Sequence, residues 1–155
     1  MVTHSAREHS SVDLSGGCAC GRHRYRARGV PRDLTLCHCT DCRRASAAPA
    51  VAWVTFRASE IEWTLTPSLR QSSPRAQRGF CPECGTQLSF FLIAEPDAVD
   101  LTLCSLDDPE ALSPEDHTYT RSQLSWFQTA DTWPRYATSR LEPHLPLGSR
   151  TEKIP

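Results

Sequence analysis

The sequence lacks a net charge of any size, a long apolar run and, with one exception, lysine. Its 17 basic residues stand against 18 acidic ones, so no overall field favours a nucleic acid or an anionic membrane as a partner. The longest apolar run, AAPAVAWV, is far too short to cross a bilayer. The start, MVTHSAREHSSVDLS, has no apolar segment of the kind that directs secretion. We therefore expect a cytoplasmic protein without a membrane partner, in which thiols stay reduced.

Lys153 is the one lysine, and every other basic residue in the total is arginine. The planar arginine fork suits carboxylates, so this bias favours anion contacts, although a GC-rich genome produces the same preference. Residues 22–44 hold seven arginines and two acids, whereas residues 95–116 hold eight acids and no Lys or Arg. Two interpretations fit this distribution: sheet regions that pair across, or an anion-attracting rim beside the first cysteines.

Helical periodicity is also missing. No window keeps a period of about 3.6 residues over a long stretch, and no repeat recurs at solenoid spacing. The apolar segments are short and separated by dense turn residues, which is typical of β-structure. Helix is expected only as short turns, such as one at 40–46. The predicted strands are 22–28, 50–56, 61–65, 87–93, 98–104, 117–120 and 125–129.

The length of 155 residues fits one domain. We predict a flexible N-terminal tail at 1–14 and a mainly β domain at 15–136. Residues 137–155 are rich in proline and polar side chains, and we expect a C-terminal extension that is only partly ordered.

Cysteine is the abundant reactive residue, with eight copies. Seven of them fall into three groups, CACG, CHCTDC and CPECG, while Cys104 stands alone inside a predicted strand. In a reducing compartment, such clusters indicate metal sites rather than disulfides.

The CPECG group is the most specific. Two thiolates separated by two residues can grip one tetrahedral ion, Pro82 shapes the turn, and Gly85 permits a positive φ. Such a knuckle supplies only two ligands, and CACG, which is also followed by a glycine, is its natural partner. The expected closed zinc site consists of Cys18, Cys20, Cys81 and Cys84. A thioredoxin-like redox pair is the alternative, but the βαβ context that it needs is absent from the pattern.

The CHCTDC group leaves three cysteines, Cys37, Cys39 and Cys42. Three protein ligands with one open position are typical of a reactive zinc. Two alternatives remain: His38 as a fourth ligand that closes the site, and a redox role for the cluster.

Several motifs together resemble the glutathione-dependent formaldehyde-activating family, which shares its domain with centromere protein V. They are GGCACGRHRYRA, CHCTDCRRASAAPAVAWVTF, SSPRAQRGFCPECGTQL, CSLDDP and PEDHTYTRSQLSWF. The resemblance implies a β-tent of packed antiparallel sheets built around two zinc ions per chain. It also implies that Cys18, Cys20, Cys81 and Cys84 hold a structural zinc and that Cys37, Cys39 and Cys42 hold a catalytic one.

Two positions depart from the family pattern. Ala47 replaces a usual glycine after CRRxx, and it costs about 1 kcal/mol if the backbone there needs a positive φ. Cys104 stands where glycine is common before SLDDP. It is interpreted either as a small buried hydrophobe or as a late ligand to the second zinc.

The family activity implied by the resemblance is a carbon–sulfur lyase reaction, the addition of the glutathione thiol to formaldehyde to give S-(hydroxymethyl)glutathione. Arg43 and Arg44 are candidates for binding a glutathione carboxylate, with pairing to the acids at 107–116 as the structural alternative. His38 and His117 are candidate proton shuttles.

Trp53 and Trp126 are assigned either to the pocket or to the core. The alternative functions are a non-catalytic, zinc-supported glutathione carrier or interaction module, and a zinc or redox sensor. Nucleic-acid binding is disfavoured because the chain lacks net positive charge.

Overall fold

The computed structural model describes residues 9–140, and in this range the chain forms ten strands and one α-helix. The strands are β1 (Val12–Gly17), β2 (Arg24–Gly29), β3 (Arg32–Cys37), β4 (Val51–Arg57), β5 (Ile61–Trp63), β6 (Ser68–Ser73), β7 (Ala76–Phe80), β8 (Gln87–Leu92), β9 (Ala98–Thr102) and β10 (Asp116–Thr118). The helix α1 spans Thr40–Ser46, and short 3-10 turns cover Ala58–Glu60, Leu103–Ser105 and Thr120–Ser122. No helix of the described range is long and apolar enough to cross a membrane.

The strands form two sheets. The smaller sheet has the order β1-β2-β5, and the larger one has the order β10-β3-β4-β9-β8-β7-β6. Neighbouring strands are antiparallel except β10, which pairs in parallel with β3. The predicted mainly β architecture is therefore confirmed, with this one parallel pair as an exception to an antiparallel layout.

The hydrophobic core lies between the two sheets. Tyr25 and Ala27 from β2 are buried there, while arginines alternate with them on the outer face, as the strict alternation at 22–28 predicts. From the large sheet, Val54 and Phe56 pack into the same core. Burying one such side chain stabilises the fold by about 1.5–3 kcal/mol. Trp53, at the alternate position of β4, packs in a second cluster instead, so the large sheet buries side chains on both faces.

The predicted strands at 22–28, 50–56, 61–65, 87–93, 98–104 and 117–120 each overlap an observed strand, and the helical turn at 40–46 is confirmed. The strand at 125–129 is wrong: residues 125 and 126 form a turn, and Trp126 is 71% exposed. Cys104 is not in a strand either, because β9 ends at Thr102 and a 3-10 turn follows. The sequence pattern did not predict four of the observed strands, namely β1, β3, β6 and β7.

Strand pairing and ion pairs extend past both edges of the predicted 15–136 domain. Strand β1 begins at Val12, inside the predicted tail, and pairs with β2 along its whole length. At the other end, the Arg140 guanidinium binds the carboxylates of Asp33 and Asp116, so the start of the predicted extension packs against the large sheet. The rest of these two predictions, residues 1–8 and 141–155, lies outside the described residues.

The arginines of β2 are engaged in ion pairs on an exposed surface. Arg26 donates to Asp13 at 2.5 Å, and Arg28 lies 3.6 Å from the same carboxylate. Arg24 pairs with Asp107, and this contact does link the arginine-rich segment to the acidic one. Such exposed pairs contribute about 0–1 kcal/mol each. They occupy three of the arginines that an anion-attracting rim would need.

Candidate metal centres

Four cysteines converge where β1 and β7 end. The Sγ atoms of Cys18, Cys20, Cys81 and Cys84 all lie within 4.8 Å of one another. Cys18 and Cys20 are 3.5 Å apart, Cys20 and Cys81 are 3.7 Å apart, and all eight cysteines of the chain are free. The structure thus brings together the two pairs that the spacing had joined into one site.

Each pair sits in a turn closed by a glycine. The Gly85 N–H donates to the Cys81 carbonyl at 2.8 Å, and the Gly21 N–H donates to the Cys18 carbonyl at 2.9 Å. Their φ angles are +76° and +77°, a region that glycine enters without steric strain. The positive φ predicted at Gly85 is confirmed. The Ala19 N–H donates to the Thr86 hydroxyl at 3.1 Å, which ties the two turns together.

Hydrogen bonds also reach the sulfurs of this site. The backbone N–H of His23 donates to Cys18 Sγ at 3.2 Å, and the Thr86 hydroxyl lies 3.2 Å from Cys84 Sγ. Hydrogen bonds from the Thr86 side chain and backbone lower the pKa of Cys84 to about 5. Cys18 and Cys81 are buried while Cys20 and Cys84 are exposed. A soft, four-sulfur donor set of this kind fits tetrahedral zinc.

A second group consists of Cys37, Cys39 and Cys42, whose Sγ atoms also lie within 4.8 Å of one another. Cys37 is the last residue of β3, and Cys39 caps α1, where its sulfur accepts the Cys42 N–H at 3.3 Å. One helical turn therefore carries Cys42 back toward Cys39. The helix ends at Ala47, whose φ of +48° confirms the strained conformation considered for that position.

The three thiols of this group affect one another strongly. Contacts with the Cys37 and Cys39 thiols, helped by the Arg78 guanidinium, lower the pKa of Cys42 far below its ordinary value. Contacts with Cys39 and Cys42 raise the pKa of Cys37 in turn. Closely spaced thiols cannot all ionise without a cation between them, so a metal that binds here must displace protons. Three soft donors leave room for a further ligand on zinc.

His38 does not join this cluster. It is fully buried, and its Nε2 lies 2.8 Å from Nδ1 of His117, whose Nε2 lies 3.0 Å from Asp131 Oδ1. Burial, then the charge of His117, lowers the pKa of His38 to about 4, so it is neutral at pH 7. The two histidines considered as proton shuttles are thus partners in one buried chain of hydrogen bonds. His38 Nδ1 has no hydrogen-bond partner among the described residues.

The arginines that follow Cys42 lie at the surface. Arg43 is half-buried and donates to the Thr40 hydroxyl at 3.4 Å, and Arg44 is exposed. Neither forms an ion pair within residues 9–140, so the expected alternative of pairing with the acids at 107–116 is wrong there. Trp53 is 4% exposed and packs against the three-cysteine cluster, whereas Trp126 is 71% exposed and lies outside the core clusters of the described residues. Cys104 is exposed and joins neither cysteine group, so it is neither a buried hydrophobe nor a ligand here.

A cavity of about 360 Å³ is lined by no cysteine but shares three wall residues with the three-cysteine cluster. Its wall includes Trp53, Phe90 and Tyr119, which also pack against the cysteine cluster. Asp100 lines the cavity and accepts a 2.5 Å hydrogen bond from Thr55, and burial raises its pKa to about 6. A larger groove, lined by residues 57–59 and 94–98 among others, contains no cysteine.

Arg78 is a site residue that the sequence pattern did not reveal. It is 3% exposed, its Nη2 lies 3.5 Å from Cys42 Sγ, and its guanidinium carbon lies 4.8 Å from the centre of the Phe90 ring. Its position three residues before Cys81 was the only available signal, and that signal points to the other cysteine site. Asp100 was missed for a similar reason, because nothing around it in sequence marks it as buried.

Residues 13–122 match the profile of the family described as glutathione-dependent formaldehyde-activating enzyme. A relative in Schizosaccharomyces pombe, named "uncharacterized lyase C29B12.13", is 30% identical over 78 residues, which is 50% of this chain and 57% of that protein. The chain thus aligns with little more than half the length of this relative. A crystal structure of a Rhodobacter sphaeroides protein aligns with a TM-score of 0.53 at 21% identity, over 68% of this chain and 100% of that chain. That structural likeness supports the fold.

Proposed function

Because the chain belongs to the glutathione-dependent formaldehyde-activating family, we propose that it is a zinc-dependent carbon–sulfur lyase that joins the glutathione thiol to formaldehyde. The product is S-(hydroxymethyl)glutathione, and the reverse cleavage uses the same site. The observation that carries the proposal is the three-cysteine cluster, which is incomplete as a tetrahedral donor set and packs against Trp53, Phe90 and Tyr119, residues that also line a cavity.

The two cysteine groups take different roles in this proposal. Cys18, Cys20, Cys81 and Cys84 hold a structural zinc, and Cys37, Cys39 and Cys42 hold the catalytic one. When bound, zinc held by three thiolates supplies a further coordination position that favours the deprotonated form of a thiol.

The addition forms one carbon–sulfur bond. The thiol loses its proton, its sulfur attacks the aldehyde carbon, the carbonyl π bond breaks, and the former carbonyl oxygen takes up a proton. Asp100 is the cavity residue best suited to exchange that proton, because its pKa of about 6 is close to neutrality. Thr55 holds the carboxyl in place by its hydrogen bond.

Arg43 and Arg44 bind the substrate and take no part in the bond-forming step. Both follow Cys42 directly, and no acidic partner engages either of them within the described residues. A guanidinium can bind a carboxylate through two parallel hydrogen bonds. We assign to them the carboxylate of glutathione, which would otherwise be repelled by a thiolate-rich site.

The experiment compares Cys39→Ser with Cys104→Ser. Cys39→Ser is expected to abolish the enzyme-dependent formation of S-(hydroxymethyl)glutathione above the uncatalysed rate while the far-UV circular dichroism stays unchanged. Cys104→Ser is the matched control, because Cys104 is exposed and belongs to neither group, and it should keep full turnover.

Unchanged turnover in Cys39→Ser rejects the proposed site. A wild-type protein that binds glutathione in equilibrium dialysis but does not accelerate the addition rejects the lyase function and supports the carrier instead.

A further inference from the structure

Arg78 is a buried cation that forms no ion pair with a carboxylate of the described residues. The residue lies in β7 and is 3% exposed, and within residues 9–140 its side chain makes one hydrogen bond, from Nη2 to Cys42 Sγ at 3.5 Å. Its Nε and Nη1 atoms are buried and have no hydrogen-bond partner among residues 9–140. Burying a cation without an anion is strongly unfavourable, so a compensating negative charge is expected at this place.

Asp100 is the nearest candidate acid on the same face of the sheet, but Phe90 lies between it and Arg78. In the strand register, Arg78 is opposite Phe90, and Phe90 is opposite Asp100. Arg78 and Asp100 are therefore separated by two interstrand spacings, about 9.5 Å. The guanidinium lies over the Phe90 ring at 4.8 Å, and Asp100 is hydrogen-bonded to Thr55 on the opposite side.

Within residues 9–140, the three thiolates are the remaining source of negative charge near Arg78. Three ionised cysteines with one zinc ion carry a formal charge of −1, and the guanidinium in contact with Cys42 brings the whole site to zero. Binding of an anion then changes the net charge of the site to −1. Without Arg78 the net charge would become −2 in a buried environment. The second state is far less favourable because like charges repel strongly where water is excluded.

We propose that Arg78 is the counter-ion of the three-cysteine site and makes it accept substrates that bind as thiolate anions. This inference rests on the proposed function, and it names the ionised thiol as the recognised group. The effect comes from a fixed charge next to the sulfurs, so it does not depend on the carboxylates that a particular thiol carries. Glutathione and a small uncharged thiol such as 2-mercaptoethanol should depend on Arg78 equally.

The test is a binding titration of the full chain loaded with cobalt, in which thiolate ligation is followed by the charge-transfer absorption. Arg78→Gln should weaken the binding of glutathione and of 2-mercaptoethanol about tenfold to a hundredfold, the effect of one unit charge a few ångströms away. Arg78→Lys keeps the charge and should stay within about threefold of the wild type.

Two controls frame this titration. Arg70→Gln removes an exposed arginine directly opposite Arg78 on β6 and should leave both affinities unchanged. S-methylglutathione keeps the carboxylates but has no ionisable thiol, so any binding it shows should be the same in wild type and Arg78→Gln.

The outcomes separate the alternatives. A loss confined to glutathione overturns the proposal and makes Arg78 a carboxylate-binding residue, and unchanged affinities for both thiols overturn it as well. If Arg78→Gln does not fold, calorimetric titration of the wild type in buffers of different ionisation enthalpy decides. Release of about one proton per thiol bound at pH 7 supports thiolate binding, and no release refutes it.

The titration measures thiol binding alone, so its result can be compared separately with the turnover assay. Arg78-dependent thiol binding without acceleration of the formaldehyde reaction rejects the proposed lyase and keeps the counter-ion role. Turnover together with a thiol affinity that is unchanged in Arg78→Gln supports the proposed lyase and rejects the counter-ion role.

Discussion

The two cysteine groups differ in how they meet solvent. The four-cysteine group exposes Cys20 and Cys84, whereas the three-cysteine group has Cys37 and Cys42 buried and Cys39 half-buried. With zinc, the first would carry a formal charge of −2 and the second −1. The group with the larger charge lies at the surface, where water and nearby N–H and O–H donors can stabilise it.

The enclosed group needs other means of stabilisation. Its charge is faced by Arg78, a buried guanidinium, because water cannot solvate thiolates at this depth. Its packing neighbours Trp53, Phe90 and Tyr119 also line a cavity. Exposure thus distinguishes the complete four-sulfur donor set from the incomplete three-sulfur one in this chain.

The largest expected effect is a difference in the free energy of unfolding between a variant of the four-cysteine group and a variant of the three-cysteine group. Cys81→Ser should lower the free energy of unfolding by about 3–5 kcal/mol, because structural zinc contributes directly to folding. This site joins two turns that are 61 residues apart in the chain. Cys39→Ser should cost less than half of that, since Cys37 and Cys42 remain and α1 is short. Guanidinium denaturation with zinc analysis measures both, and equal losses would contradict the assigned roles.

The next effect compares a buried histidine near each group. His117→Ala removes a hydrogen-bond partner of both His38 and Asp131, and we expect a cost of about 2–4 kcal/mol because His38 Nε2 would lose its partner in a buried place, whereas Asp131 keeps the Trp133 N–H. His23→Ala removes a single 3.0 Å contact of Nδ1 with the Leu65 carbonyl and should cost about 1–2 kcal/mol. Thermal denaturation of both variants tests the order, and a larger loss in His23→Ala would refute it.

The pH dependence of stability should reveal the acid in the cavity. Folding raises the pKa of Asp100 from 3.8 to about 6, so the protonated carboxyl is favoured in the folded state. Its contribution is therefore full below about pH 4 and is lost as the pH rises through 6. Relative to Asp100→Asn, the wild type should lose up to about 3 kcal/mol of stability between these values.

The measurement for Asp100 is urea denaturation of wild type and variant at a series of pH values. Asp107, on the exposed side of the molecule, provides the matched control. The hydrogen bond from Arg24 lowers its pKa, so Asp107→Asn should show a dependence of opposite sign, and it should be small because the pair is solvated. A flat difference between wild type and Asp100→Asn would show that Asp100 ionises normally in the fold.

The smallest effect concerns the helix that carries Cys42. Ala47 ends α1 with a φ of +48°, so Ala47→Gly should stabilise the fold by about 1 kcal/mol by removing the strain on Cβ. Ala47→Val should destabilise it, because a β-branched side chain tolerates this conformation worse. Thermal denaturation distinguishes the two, and a stabilising valine would refute the strain argument.

Local patterns were sufficient for the two cysteine groups that could hold metal ions. The cysteines of each group come in pairs or triplets close in sequence, and glycines such as Gly85 mark the turns that hold them. The alternation of β2 and the single turn of α1 could be predicted for the same reason, since each depends on contacts within a few residues. Strands β6 and β7 were missed because their residues, SLRQSS and AQRGF, do not alternate clearly between apolar and polar.

The sequence by itself determined which cysteines act together, that the chain is mainly β, and that one helical turn follows Cys39. The tertiary structure decided that His38 meets His117, 79 residues away, and that Arg78 of β7 reaches Cys42 rather than the cysteines next to it. It also decided that Asp100 faces the cavity. These contacts depend on strand order and register, in which a shift of one residue turns every side chain to the opposite face. No local spacing encodes that choice, because it is made by the packing of the whole sheet.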